Sequence, residues 1–272
     1  MHPMLNIGIR AARAAGKVIT QNIDRYDPMT IEKKQRNDFV TEVDRKAEAE
    51  IINTLGRSYS DHSFLCEESG LIGDADSEFQ WIIDPLDGTT NFIHGLPHFS
   101  VSIALTQNGK LFQAVIYDPM RQELFTAGKG EGAFLDSKRL RVSPTSKLEN
   151  ALLSSGFPYR DGQDLDFYQR TSRHYTERSG GVRRLGSAAL DLAYVAAGRI
   201  DGTWLTGLSS WDMAAGGLIV REAGGLLNDF DGGDDWMSKG EVIAATPKVH
   251  HQMMEVMKPL SAARHKMPKK KA

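Results

Sequence analysis

Apolar positions along the chain switch between a helical repeat and a strand-like one, and the switches set out its elements. Met4, Leu5, Ile7, Ile9, Ala11, Ala12, Ala15, Val18 and Ile19 recur at helical spacing. That predicts an amphipathic helix to about Ile23 with a closely packing alanine face. Tyr26-Asp27-Pro28 ends it, and a short strand from Ile31 carries Lys33 and Lys34. Ala47, Ile51, Ile52 and Leu55 mark the buried side of a second helix, which Thr41 or Asp44 could cap. The repeat then shortens to that of strands at Ser63 to Cys66, Trp81 to Ile83, His98 to Leu105, Leu111 to Asp118, Glu123 to Ala127 and Gly132 to Leu135. Asn108-Gly109 is a hairpin dipeptide and Pro119-Met120-Arg121 a further turn, so the last four of these read as an antiparallel meander.

Past Ser143-Pro144-Thr145-Ser146 strands and helices alternate. Strands are predicted at Ala151 to Ser155, Val182 to Leu185, Ile200 to Leu205, Leu226-Leu227 and Val242 to Ala245. Helices are predicted from Leu165 to about Glu177, from Gly186 to Gly198, from Trp211 to the Gly224-Gly225 stop, and from Pro247 onward. The change of pattern divides the chain into a half at 1–142, a half at 143–262 and a basic tail at 263–272. Lysines and an arginine without aromatics make that tail a solvated, disordered end. No internal repeat and no linker long enough for independent domains is present.

Composition narrows the function classes. The chain has 272 residues, 40% hydrophobic and 25% charged, with a formal net charge of −2. That is an ordinary globular balance, with no global drive towards nucleic acid or a membrane surface. Cys66 is the single cysteine, which excludes an intrachain disulfide and fits a reducing compartment. Residues 1–15 lack an apolar signal core, and no stretch has membrane-spanning length, so a cytoplasmic location is expected.

The candidate chemistry centres on Trp81-Ile82-Ile83-Asp84-Pro85-Leu86-Asp87-Gly88-Thr89-Thr90-Asn91-Phe92. Pro85 has no amide proton, so the strand is expected to stop there and send Asp84 and Asp87 out on a tight turn. Gly88 permits close backbone approach, and Thr89-Thr90-Asn91 read as a helix start. Carboxylates beside amide protons suit a divalent cation next to an anion. Taken alone, Asp-Pro and Asp-Gly are ordinary turn dipeptides. Glu67 is another acid at a strand end, and Asp212 stands at a helix start, where capping is the usual role. Gly186 and Ser187 open a helix that could receive an anion, or Ser187 could cap it. Were Glu67, Asp84, Asp87 and Asp212 to converge, their mutual repulsion would imply bound cations.

The Asp-Pro-Leu-Asp-Gly-Thr-Thr-Asn-Phe run followed by Trp211-Asp212-x-Ala-Ala-Gly closely resembles the inositol monophosphatase family of Mg²⁺-dependent, lithium-sensitive phosphatases. Asn37-Asp38-Phe39-Val40-Thr41, Tyr117-Asp118-Pro119-Met120-Arg121 and the segment from Gly186 to Arg199 are most similar to its bacterial SuhB branch. The resemblance implies an α+β fold, a five-layer αβαβα sandwich of the sugar-phosphatase type, with the site between the halves. It implies two or three Mg²⁺ ions: one held by Glu67, Asp84 and the Leu86 carbonyl, a second by Asp84, Asp87 and Asp212. The implied reaction is in-line attack of metal-activated water on inositol 1-phosphate or a related polyol phosphate. Asp44 and Thr89 match the pair that orients and deprotonates the water, and Glu67 is counted with them as catalytic. Gly88 and Thr89 match phosphate contacts, and Gly186, Ser187 and Ala188 match the segment lining the inositol ring, with Asp87 and Asp212 also on the substrate side. Lys34 (or Lys33) would add positive charge near the phosphate.

One position departs from the family. Where a glutamate usually bonds ring hydroxyls, this chain has Leu205, which cannot accept those bonds. Inositol preference is therefore in question, and fructose bisphosphate or nucleotide 3′-phosphate is a rival substrate. A different class of function also follows from the branch: ribosomal RNA transcription antitermination and ribosome biogenesis through binding NusA. Arg183 and Arg184 stand where the branch places homodimer or partner contacts, although a solvated strand edge would look the same.

Overall fold

A computed structural model describes residues 2–23, 32–35, 38–40, 42–157 and 164–266, with the side chains of 32–35, 38–40 and 265–266 outside that description. The first helix, α1 (Pro3–Asn22), buries Ala11, Ala12, Ala15 and Ile19 as its spacing predicts. A hairpin of β1 (Glu32–Gln35) and β2 (Asp38–Val40) precedes α2 (Glu42–Gly56). Asp44 falls inside the first turn of α2 and is not its cap. The alternative cap, Thr41, lies outside the described residues.

The larger sheet contains β3 (Ser63–Cys66), β4 (Gly70–Ile72), β5 (Phe79–Asp87), β6 (Ser100–Gln107), β7 (Lys110–Asp118), β8 (Glu123–Gly128), β9 (Gly132–Leu135) and β10 (Lys138–Arg139). Its order is β10-β9-β8-β7-β6-β5-β3-β4; β6 to β9 form the expected meander, which β5 and β10 extend at either end. Strand periodicity sends alternate residues to opposite faces. Trp81, Ile83, Val101, Ile103 and Leu105 pack against α1 and α2, whereas Ile82, Ala104, Ala114 and Ala127 face the other way. Contrary to expectation, β5 runs through Pro85 to Asp87. Asp84 pairs with Ser102 and Asp87 with Ser100, so Pro85 and Leu86 together oppose Val101. Such a bulge leaves an extra residue unpaired, which is how a proline fits there without breaking the ladder.

The second sheet follows β11 (Leu152–Ser155), α4 (Leu165–Arg178), β12 (Gly181–Arg183), α5 (Ala188–Ala196), β13 (Gly202–Thr206), α6 (Ser210–Glu222), β14 (Leu226–Asn228), α7 (Trp236–Lys239), β15 (Glu241–Ala245) and α8 (Pro247–Lys266), with α3 (Thr89–Ile93) back at the end of β5. Its order is β12-β11-β13-β15-β14, with β11 parallel to both neighbours. Leu205, Val242 and Ala244 turn towards α5 and α6, while Leu153, Trp204 and Ile243 pack on α4 and α8. The layers are therefore α1/α2, the eight-stranded sheet, α5/α6, the five-stranded sheet and α4/α8. The five-layer α+β sandwich expected from the sequence is what the chain forms.

The middle helices serve both sheets, which requires small residues. A Cβ on Gly216 of α6 would lie 2.5 Å from the Leu192 Cβ of α5, so only glycine allows that approach. Two further expectations change. The helix before the tail extends to Lys266, and Arg264 is anchored by Asp164, Glu241 and the Phe167 ring, so it is not part of a disordered end. Residues 267–272 of that tail lie outside the described residues. The strand expected through Leu185 stops at Arg183, which frees Arg184 to turn elsewhere. Among the described residues no helix is long and apolar enough to cross a membrane.

Candidate active site

The end of β5 is shaped to bring acids together. In a regular strand Asp84 and Asp87, three residues apart, would point to opposite faces. The bulge between them resets the alternation, and both line one cleft of about 350 Å³. Asp212, in the first turn of α6, joins them: one oxygen from each of the three carboxylates lies within 4.8 Å of the others, and all three side chains are buried. Asp212 is not the cap of its helix. Ser209 holds that position, and the Asp212 Oδ2 accepts from the Ser209 amide at 2.7 Å. Parallel pairing of β3 with β5 sets Cys66 opposite Ile83, so Glu67, the next residue, emerges beside Asp84 in the same cleft.

Asp44 and Thr89 also meet. The Thr89 Oγ1 lies 3.1 Å from the Asp44 Oδ1 and 3.0 Å from the Leu86 carbonyl oxygen, with one proton to donate between them. Gly88 has φ +99°, and a Cβ there would come within 3.1 Å of the His98 carbonyl and 3.2 Å of the Gly186 carbonyl. Glycine is the residue that can place α3 so close to the second half of the chain. The start of α5 does receive an anion, but the anion is Asp87 itself. Its Oδ2 accepts from the Ser187 hydroxyl at 2.5 Å and the Ala189 amide at 2.7 Å, and its Oδ1 from the Ala188 amide at 3.2 Å. Ser187 also caps its own helix through the Leu190 amide, so both sequence alternatives hold at once.

The electrostatics follow from this crowding. Burial first, then the charges of Glu67, Asp87 and Asp212, push the Asp84 carboxyl well above its ordinary range. Burial raises Asp87 to about 6, opposed by the hydrogen bonds from Ser187, Ala189 and Ala188. Metal-free carboxylates in this arrangement disfavour one another's ionised forms, and hard oxygen donors at this spacing suit a cation such as Mg²⁺. The residues present fit the group that the sequence implies.

The opposite side of the cleft comes from the carboxyl ends of the parallel strands β12, β11 and β13, where open α/β sheets commonly take ligands. Gly156 and Phe157 follow β11, Arg184 follows β12, and Leu205 and Thr206 close β13. The Arg184 guanidinium lies over the Phe157 ring at 5.2 Å. Gly186, Ser187 and Ala188 line this side as expected, and Leu205 stands among them, 2% exposed. Arg184 thus lines the cleft, while Arg183 is exposed on the strand edge. The side chains of Lys33 and Lys34 lie outside the described residues. Sequence reasoning missed Phe157, His94 and Asp191 as lining residues. Of these only Asp191 left a trace, being one helical turn beyond Ser187 on the same face.

The profile of the Inositol monophosphatase family matches residues 1–261. "Nus factor SuhB" of Pseudomonas aeruginosa is 51% identical over 263 residues, covering 95% of this chain and 97% of that one. The crystal structure of extragenic suppressor protein suhB from Bartonella henselae superposes with a TM-score of 0.90 at 43% identity, over 94% of this chain and 99% of the other. SaIMPase-II with inositol monophosphate bound superposes with a TM-score of 0.80 at 26% identity, over 96% and 95%. The chain belongs to the inositol monophosphatase family.

Proposed function

We propose that this chain is a Mg²⁺-dependent phosphomonoesterase of the cytoplasm, acting on inositol 1-phosphate or a related small phosphate ester. The observation that carries the reading is the meeting of buried Asp84, Asp87 and Asp212 in one cleft with the Asp44–Thr89 pair. Glu67, Asp84, Asp87, Asp212 and the Leu86 carbonyl would hold the ions. When bound, Mg²⁺ would supply Lewis acidity for the attacking water, the phosphate oxygens and the leaving alkoxide. Thr89 orients the water through its hydroxyl, and Asp44, which accepts from that hydroxyl, takes up the proton that the water loses. Gly88 and Thr89 turn backbone amides towards the phosphate. Ser187 and the α5 amides keep the Asp87 carboxylate from rotating.

On the substrate side the bound inositol monophosphate of SaIMPase-II supports a polyol ester, whereas Leu205 removes an acceptor from the ring position. Phosphate release from inositol 1-phosphate, measured with and without Mg²⁺ and beside Asp87→Asn, tests the reading. Mg²⁺-dependent release that the variant loses is the expected result. Near-normal turnover in the variant would refute the two-metal assignment.

A second reading is favoured by the name of the 51% identical relative. In it the chain is a transcription antitermination factor that binds NusA through a surface separate from the cleft. Capture of NusA that persists in Asp87→Asn is expected. Absence of binding at micromolar concentrations would remove this reading.

A further inference from the structure

One helical turn beyond Asp44, α2 carries a second buried carboxylate to which the reaction gives no part. Glu48 is 2% exposed and shares the face of Asp44, four residues earlier. It does not line the catalytic cleft; it borders a separate groove with Arg45, Asn53, Glu68 and Ser69. Its Oε2 accepts from the Glu68 amide at 2.9 Å and its Oε1 from the Ser69 hydroxyl at 2.5 Å. These donors belong to the two residues directly after Glu67.

Hydrogen bonds into a charged acceptor are strong and directional, and a buried carboxylate persists where such bonds hold it. With both oxygens engaged, Glu48 fixes the backbone on which Glu67 reaches into the cleft. The Glu67 amide also bonds the Ile83 carbonyl at 3.1 Å, which sets its strand register, and the Cys66–Gly70 pair of the β3–β4 hairpin closes the turn that Glu48 holds from outside. We infer that Glu48 is a positioning residue for the metal centre: by holding the turn after Glu67 it sets the affinity for Mg²⁺. A single helix then braces the site at two points, Asp44 through Thr89 and Glu48 through the Glu68-Ser69 turn. The inference rests on the phosphatase reading above.

The test is Mg²⁺ titration by calorimetry of the wild-type protein and of Glu48→Ala, Glu48→Asp, Glu48→Gln and Ser69→Ala, with thermal unfolding in chelator to confirm folding. Residues that orient metal ligands typically change affinity by about 10–100-fold when removed, and Glu48→Ala is expected in that range. Glu48→Asp, one methylene too short to reach both donors, weakens binding similarly. Glu48→Gln keeps an oxygen for the Glu68 amide and recovers most of the affinity. Ser69→Ala loses about tenfold, the lower end of one hydrogen bond to a charged group. The Mg²⁺ concentration giving half-maximal phosphate release moves by the same factors, and turnover returns at high Mg²⁺. Should Glu48→Ala not fold, Glu48→Asp and Ser69→Ala decide. Folded variants that bind Mg²⁺ as tightly as wild type overturn the inference while leaving the phosphatase reading in place. A wild-type protein that binds no Mg²⁺ overturns both.

Discussion

One side of the cleft is made of acids at the ends of β3 and β5 and the start of α6; the other is made of Phe157, Arg184 and Leu205 at or just past the ends of three parallel strands. The acidic side is over-determined. Each carboxylate is held by something outside itself: Asp84 by the Leu86 amide, Asp87 by the start of α5, and Asp212 by Ser209. The facing side is a set of side chains around open space, with Arg184 stacked on a half-exposed Phe157 ring as its most defined contact. A site built this way can keep its chemistry fixed while its choice of leaving group drifts. On the proposed reading, Leu205 on the facing side is where such a change would lie.

The largest expected effect lies on the acidic side. Asp84→Asn should lower turnover by roughly 10²–10³-fold or more, the scale of losing one preorganised electrostatic contact. The same substitution removes a mutually repelling charge, so the metal-free protein should melt at a higher temperature than wild type. Lower activity with a lower melting temperature would mean that Asp84 serves packing, and the contrast between the sides would collapse. Next comes Leu205→Glu, which restores an acceptor beside the leaving group. It should raise kcat/KM for inositol 1-phosphate over that for a phosphate ester without ring hydroxyls by about 10–100-fold, since unpaired buried polar groups discriminate on at least this scale. Mg²⁺ dependence should stay unchanged, because the two sides are built separately.

A pH effect follows in size. Asp87 titrates at about 6 in the fold against an ordinary 3.8, and Asp84 is raised as well. Between those values the folded protein holds protons that the unfolded chain has released, so metal-free stability falls as pH rises through about 4 to 6. Mg²⁺ must displace those protons, and its apparent affinity should fall by about tenfold per pH unit for each proton displaced below pH 6. Thermal melts with chelator and with Mg²⁺ at pH 5 and pH 7 should therefore move in opposite directions. A smaller effect is expected from Arg184→Ala, which loses a stacked, half-solvated cation. KM should rise a few-fold with kcat little changed, given the ~0.5–1 kcal/mol of an exposed cation–π pair. A collapse of kcat instead would place Arg184 with the acids.

Legibility in the sequence divides along the same line. Strand ends, turn dipeptides and the ordered acid motifs were readable because each is local: Asp84 to Thr89 occupy six consecutive positions, and Trp211-Asp212 opens a helix. The layer order came from the resemblance, since no hydrophobic repeat says which helix covers which sheet. Pro85 misled for a physical reason: a proline ends a ladder unless a bulge in its own strand takes it out of the pairing, and that depends on Val101 of the partner strand, distant in sequence. Asp44 and Asp212 looked like caps because they stand within one turn of a helix start, where a single residue of offset turns a cap into a ligand-facing side chain. The places that Arg264, Arg184 and Glu48 take in the fold could not be read from the sequence. Their roles depend on partners such as Glu241, Phe157 and Ser69, brought near only by tertiary contact.

The position of α5 and α6 between both sheets has a consequence in time. The eight-stranded sheet is complete in the chain at Arg139, but the helix that finishes covering its second face ends at Glu222. At typical synthesis rates those roughly 80 residues take about 4–16 s to follow. Until then Ile82, Ile116 and Phe125 lack part or all of their native cover, and the nascent sheet is a surface on which holdase chaperones would act.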